Sequence, residues 1–237
     1  MPDNVRKGCK DMWNAYMVEG ATWSEHDIPL CPTTAEAPPK NLISFSRAKT
    51  LWNKALTQGA SDYHIDAFLH FYIDDQKFVG KRKSIWDDPE EALMIAKACD
   101  GMITPDFSTY ADFPDPIKRN ATYMMRAFGF YAGKQGVHVI NNVRWGTAES
   151  WEYCFDGIPR HSTVSIGTVA SNIRKLDNRP LFEGGFDKMI EALDPATIVV
   201  YGSANNPHVD RLKRLGVKIL SFPSETNSAY KKVAHHE

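Results

Sequence analysis

The chain has 237 residues, of which 43% are hydrophobic and 24% are charged, and its formal net charge is −1. This composition allows a sizeable hydrophobic core and disfavours wholesale disorder. A net charge near zero argues against a broad nucleic-acid footprint, although it leaves room for a local basic patch. No apolar run approaches the roughly 18 to 20 residues of a membrane helix, and the start lacks the apolar centre of a signal peptide. We therefore expect a cytoplasmic protein without membrane contact.

Residues 1–40 are predicted to form an N-terminal arm, and residues 41–237 a single α/β domain. Within the arm, residues 4–18 have the apolar spacing of a short helix. The remainder of the arm contains four prolines and is predicted to be irregular. The arm carries large apolar side chains such as Trp13 and Trp23, so we expect it to pack on the body or to join two copies of the chain in a homo-oligomer.

The body alternates apolar runs of strand length with segments of helical pattern. Seven strands are predicted, over residues 42–45, 67–73, 101–107, 137–145, 163–168, 196–201 and 217–222. Helices are predicted between them, over residues 46–56, 88–98, 115–134, 147–155, 181–193 and 207–215. Such alternation is typical of parallel βα units. It predicts a (β/α) barrel-like fold with about seven steps. A doubly wound, mostly parallel sheet is the alternative, because the sequence does not reveal strand order.

Five segments of the body form a series of unusual motifs, which read DGMITPDFSTYADFP, NNVRWG, WEYCFDGIP, VSIGT and VVYGS. In order and spacing this series resembles the bacterial and phage family known as domain of unknown function 4417. The resemblance begins near His70 and extends to about Ser203. It implies a bacterial, phage or mobile-element origin. It implies no activity and no site residues, so the functional predictions rest on the residues themselves.

Carboxylates follow two of the predicted strands. Asp74 and Asp75 come after the strand at 67–73, and Asp106 lies at the end of the strand at 101–107. The carboxyl ends of parallel strands share one rim, where paired carboxylates divide acid and base roles or bind a divalent metal. We predict Asp74 and Asp106 as catalytic residues, and Asp74, Asp75 and Asp106 as ligands of Mg²⁺ or Mn²⁺. The alternative is that these residues only organise turns.

Arg144 ends the strand at 137–145 and is predicted to be a catalytic residue that holds an anionic group. Its planar guanidinium suits a carboxylate or a phosphate, and a salt bridge to Asp106 or Asp74 is the alternative role. Asn142 lies two residues earlier and shares a strand face with Arg144, so it is predicted to bind substrate. Trp145 is predicted to stack on substrate, with a core position as the alternative.

Three further residues are predicted to bind substrate. Thr168 and Ser203 each follow an apolar strand and a glycine, which lets the backbone approach a phosphate or a sugar. Glu225 follows the last predicted strand. Because the sequence has no dinucleotide-binding, P-loop or serine-hydrolase motif, it offers no support for those functions.

These features lead to one principal prediction and two alternatives. The principal prediction is a hydrolase-like enzyme that acts at the strand rim on a small anionic substrate such as a nucleotide or a sugar phosphate. The first alternative is a non-catalytic ligand-binding or protein-interaction factor of a phage or mobile element. The second is a nucleic-acid-acting factor that uses the basic stretch from Lys77 to Lys83.

Overall fold

A computed structural model describes residues 5–60, 62–80, 84–169, 179–205 and 207–225 of the chain. These residues form a seven-stranded parallel sheet with helices in the connections. The strands are β1 (Leu42–Ser44), β2 (Ile65–His70), β3 (Cys99–Ile103), β4 (Val139–Asn142), β5 (Thr163–Gly167), β6 (Thr197–Tyr201) and β7 (Lys218–Phe222). Each pairs in parallel with its predecessor, so the strand order is sequential from β1 to β7.

Five α-helices accompany the strands. They are α1 (Phe45–Thr57), α2 (Glu90–Lys97), α3 (Asp115–Lys134), α4 (Arg179–Leu193) and α5 (Pro207–Arg214). Local sequence explains several of their ends: the Ser44 hydroxyl accepts a hydrogen bond from the Arg47 N–H at the start of α1, and Pro116 lies in the first turn of α3. The helix predicted over residues 147–155 is instead a 3₁₀ helix at Ala148–Glu152.

The sheet is curled. The rings of His70 on β2 and Tyr201 on β6 are only 4.3 Å apart between centroids. These strands are four positions apart in the sheet, which in a flat sheet would separate them by about 19 Å. Apolar side chains from the same concave side, including Phe68, Ile140 and Val199, form a buried cluster. The curl therefore brings the first and last strands towards each other.

An all-parallel α/β sheet is confirmed, whereas closure into a complete barrel is not seen among the described residues. β1 and β7 do not pair in the described part of the chain. At the rim their ends are connected by a side chain, because the backbone N–H of Ser44 donates a hydrogen bond of 3.2 Å to Oε1 of Glu225. The fold is thus half of a barrel with its helices outside.

The helix predicted over residues 4–18 is wrong for the described residues 5–18, which form turns. Gly8 and Asn14 have positive φ angles of 88° and 52°, which are incompatible with an α-helix. The Asp11 carboxylate also accepts hydrogen bonds from the backbone N–H groups of Trp13 and Ala15, and so stabilises a turn in place of a helix.

The arm packs closely on the body. Met17 and Cys31 are fully buried. The Tyr123 hydroxyl on α3 donates to the Trp13 carbonyl at 2.7 Å, and the Cys31 N–H donates to the Gly157 carbonyl at 2.7 Å. Assembly of two copies through residues 1–40 stays a prediction.

We expect the stability of the protein to fall as the pH drops below about 6.5, because of His70. Burial lowers the pKa of His70 to about 3, so the native state keeps it neutral while the unfolded chain takes up a proton. Between these two pKa values the unfolded state binds one more proton, and the free energy of unfolding should decrease by about 1.4 kcal/mol per pH unit. Urea unfolding at several pH values between 4 and 7 measures this slope.

The His70→Gln variant should lose this component of the slope even if it is less stable overall. His138→Gln, at an exposed histidine, is the matched control and should keep it. Equal slopes for the wild type and His70→Gln would contradict the prediction.

Candidate functional site

A cavity of about 350 Å³ lies at the carboxyl ends of the central strands. Its lining comes from the loops that follow β3 and β4, from the end of β5 and from the first turn of α4. Three charged residues line it: Asp106, Asp112 and Arg144. The sequence-predicted residues Asp106, Arg144 and Trp145 therefore meet in one cavity, as expected for the rim of a parallel sheet.

Asp106 and Arg144 form an ion pair at this cavity. Nη1 of Arg144 donates to Oδ2 of Asp106 at 2.5 Å, and the two side chains are 16% and 10% exposed, Arg144 being the more exposed. Burial raises the pKa of Asp106 above its usual range, while the Arg144 guanidinium and the Asn142 amide act in the opposite direction. Burial acts to lower the pKa of Arg144, but Asp106 and the other acidic groups nearby outweigh it and raise the pKa, so Arg144 stays charged.

A chain of hydrogen bonds crosses the inside of the sheet and ends on this ion pair. Ser165 Oγ lies 2.7 Å from the Tyr72 hydroxyl, which donates to Oδ1 of Asn142 at 3.0 Å. Nδ2 of Asn142 then donates to Oδ1 of Asp106 at 2.8 Å. Both carboxylate oxygens of Asp106 therefore accept a donor, and this fixes the direction of the carboxylate.

Asn142 is fully buried and lies behind Asp106. Its amide oxygen accepts a hydrogen bond from the Tyr72 hydroxyl, and its amide nitrogen donates to Asp106. The substrate-binding role predicted for Asn142 would therefore be exerted through Asp106. A glycine makes the arrangement possible, because a Cβ at Gly167 would lie 2.7 Å from the ring of Tyr72.

The cavity walls are apolar and aromatic. Trp145 is partly buried and packs against Phe182 with 5.6 Å between ring centroids. Its indole Nε1 donates to the Leu181 carbonyl at 3.2 Å. A Cβ at Gly185 would overlap the indole, so this glycine lets α4 approach Trp145. Tyr110, which is 47% exposed, covers Arg144 with its ring.

The three predicted metal ligands do not come together. Asp75 accepts hydrogen bonds from the N–H and the hydroxyl of Ser108, while Asp74 is exposed and its carbonyl accepts from the Lys77 N–H. In the described ranges, no three His, Cys, Asp or Glu side chains are arranged to hold a metal ion. Of the three carboxylates, Asp106 alone lines the cavity.

The other predicted substrate-binding residues lie outside the cavity lining. The Thr168 hydroxyl donates to the carbonyls of Tyr201 and Ser203, and so connects the ends of β5 and β6. Ser203 is exposed, and its Oγ accepts from the Asn205 N–H. Glu225 holds the Ser44 N–H at the open side of the sheet. Their predicted contacts with substrate stay predictions.

The sequence reasoning missed several lining and supporting residues. Tyr72 comes two positions after His70, so the strand alternation could have identified it as a residue of the same face. Tyr110, Leu181 and Phe182 come from a loop and a helix, and no local signal directs them to the rim.

Arg126 on α3 supports the site from behind, and the helical pattern alone does not show that it is buried. It is fully buried, and it donates to the carbonyls of Asn142, Cys154 and Asp156 at 2.9 to 3.1 Å. Burial lowers its pKa to about 10, so it stays charged at neutral pH. This guanidinium fixes the backbone that carries Asn142.

Two further predictions concern binding to a nucleic acid and contact with a membrane. The basic stretch from Lys77 to Lys83 falls partly outside the described residues, because residues 81–83 are not among them. No helix in the described part of the chain has the length and apolar character needed to span a bilayer.

Replacing Arg126 with Met should destabilise the protein by about 3 to 5 kcal/mol, because three backbone carbonyls, two of them in buried contacts, lose their donor. Chemical denaturation measures this loss. Arg160→Met is the matched control: Arg160 is exposed and also donates to two carbonyls, those of Glu191 and Ala192. The control should change the stability by less than about 1 kcal/mol. Similar losses in both variants would contradict the role assigned to Arg126.

Comparison with known proteins identifies relatives of this chain in phages. The chain is 32% identical over 200 residues to the "Gene 1 protein" of Mycobacterium phage D29, which covers 84% of this chain and 68% of the relative. It is 34% identical over 134 residues to the "Gene 1 protein" of Mycobacterium phage L5, which covers 56% of each. No solved structure matches the chain.

A family model extends this similarity over most of the chain. It matches residues 21–223, a longer range than the motif series in the sequence indicated, and the predicted resemblance is confirmed. The chain therefore belongs to the family described as Domain of unknown function (DUF4417).

Proposed function

We propose that this protein binds a small organic molecule in the rim cavity and holds one electronegative or singly anionic group of that molecule on Arg144. The observation that carries the proposal is the position of the Arg144 guanidinium. It lines the cavity, it is partly exposed, and it is held in place by a buried carboxylate. A cation fixed in this way is suited to orient a ligand.

The Arg144 guanidinium has more N–H donors than its ion pair with Asp106 uses. An arginine side chain has five N–H donors. Within the described residues, hydrogen bonding occupies one of its terminal nitrogens, Nη1, which donates to Asp106. A ligand oxygen that reached one of the remaining N–H groups would form a charge-assisted hydrogen bond.

The walls favour a ligand with an apolar body. Val143, Ile166, Leu181 and Phe182 line the cavity beside Trp145. Binding sites for small molecules are usually apolar pockets with a few polar groups that set the orientation. The similarity to mycobacteriophage proteins supports a role in phage or mobile-element biology, inside a bacterial cell.

The Arg144→Met variant should bind such ligands at least tenfold more weakly than the wild type, because the anchoring charge is lost. The probes are aromatic monocarboxylates, nucleosides, nucleoside monophosphates and sugar phosphates. A thermal-shift screen of the wild type selects the probes that bind, and calorimetry then measures Kd. Inorganic phosphate should give little shift, because it cannot occupy the apolar walls.

Arg211→Met is the control, since Arg211 pairs with Asp187 on the surface and does not line the cavity. Titrations are run well below the melting temperature of each variant, because loss of Arg144 also leaves Asp106 buried without its partner. The proposal fails if no probe binds the wild type, or if Arg144→Met binds as tightly as Arg211→Met.

A second candidate is catalysis on the bound molecule, with hydrolysis as the reaction. It is supported by Asp106, a carboxyl group that lines the cavity and whose pKa is raised by burial. A carboxyl with a raised pKa is suited to general acid–base chemistry. A ligand incubated with the wild type should then be converted to product, and Asp106→Asn should slow this by about 100-fold or more.

Mass spectrometry of the ligand after incubation measures this conversion. Asp112→Asn is the matched control, because Asp112 also lines the cavity but is exposed. Recovery of the ligand unchanged from the wild type would leave the protein as a non-catalytic binder.

A further inference from the structure

We infer that the ligand of the rim cavity is a planar heterocycle with a carbonyl next to a ring N–H, a lactam, and that it carries at most one negative charge. This inference rests on the proposed binding function and specifies its substrate class. Three features of the described residues carry it: the charge balance, the pairing of donors with acceptors, and the shape of the walls.

The charge balance disfavours a polyanion. Arg144 is the only cationic residue among those described that line the cavity, and Asp106 already neutralises it. Asp112 adds a second carboxylate to the lining, and the negative charge of Asp75 acts on both Asp106 and Arg144. A di- or triphosphate would bring several negative charges next to a lining whose described residues are already net negative. An uncharged or singly charged ligand avoids this repulsion.

The ion pair presents donors and acceptors side by side. Arg144 offers N–H groups, and each oxygen of Asp106 has accepted one hydrogen bond and retains a lone pair. The complement of such a pair is a carbonyl oxygen beside an N–H. This is the edge that a lactam presents in one plane. In base recognition, arginine donates to guanine acceptors including the carbonyl oxygen, and acidic side chains accept from a base amino group.

The walls suit a flat ring better than a sugar alone. The Nε1 of Trp145 donates its hydrogen bond to the Leu181 carbonyl, so the indole offers π surface and no free donor. The rings of Phe182 and Tyr110 lie at the same cavity. A polyol would leave its hydroxyls unpaired against these walls, whereas a planar heterocycle would stack on them.

Matched ligands test the inference without changing the protein. The probes are uridine and guanosine, each compared with the analogue methylated at the lactam nitrogen, 3-methyluridine and 1-methylguanosine. Uracil is included to separate recognition of a free base from recognition of a nucleoside, and uridine 5′-triphosphate tests the charge limit. Calorimetry with the wild-type protein gives Kd for each.

We expect at least one parent compound to bind about tenfold or more tightly than its methylated analogue, because methylation removes the hydrogen bond to Asp106. The triphosphate should bind more weakly than uridine. Equal binding of the methylated analogue, or tighter binding of the triphosphate, would overturn the inference. So would failure of all lactams while a carboxylate or sugar phosphate binds through Arg144, a result that would leave the proposed function intact.

Discussion

The buried guanidinium of Arg126 is the constraint on which the rim depends. It carries its charge at full burial, and three backbone carbonyls from two segments of the chain compensate it. An uncompensated buried charge is so costly that these segments must keep their positions. One of the carbonyls belongs to Asn142, whose side chain holds Asp106. A charge outside the cavity lining thus fixes the backbone behind the site.

The Asp106–Arg144 pair fits the proposed binding role better than a role in stability. Desolvation offsets much of the attraction in a buried ion pair, and an apolar pair of similar volume is often as stable. This pair is backed by Asn142, Tyr72 and Ser165, and these residues make its geometry rigid. Rigid polar groups at the floor of an apolar cavity lower the entropic cost of holding a ligand.

The elements of the fold were more predictable than the details of the site. Seven strands followed from short apolar runs of strand length that alternate with segments of helical pattern. Curl and strand order, by contrast, depend on contacts between distant strands such as β2 and β6. At the site, the proximity of Asp106 and Arg144 followed from their places at strand ends. The hydrogen-bond partners of the Thr168 hydroxyl could not be predicted. A hydroxyl that bonds neighbouring carbonyls and one that faces a ligand have the same local sequence. The position of Phe182 at the cavity could not be predicted either, because it depends on how α4 packs on Trp145.

The sequential strand order has a consequence for how the protein is made. Each strand pairs with the one synthesised before it, so the sheet can be extended one βα unit at a time as the chain leaves the ribosome. Several contacts form out of this order. The Cys31 N–H, for example, can bond only after Gly157 has been made, and the cavity is complete only after Leu181 and Phe182 have been made. A nascent chain that has completed β5 but not α4 therefore has its ion pair in place and one wall of its cavity missing. The cavity proposed to bind a ligand is thus completed late in synthesis, after most of the sheet exists.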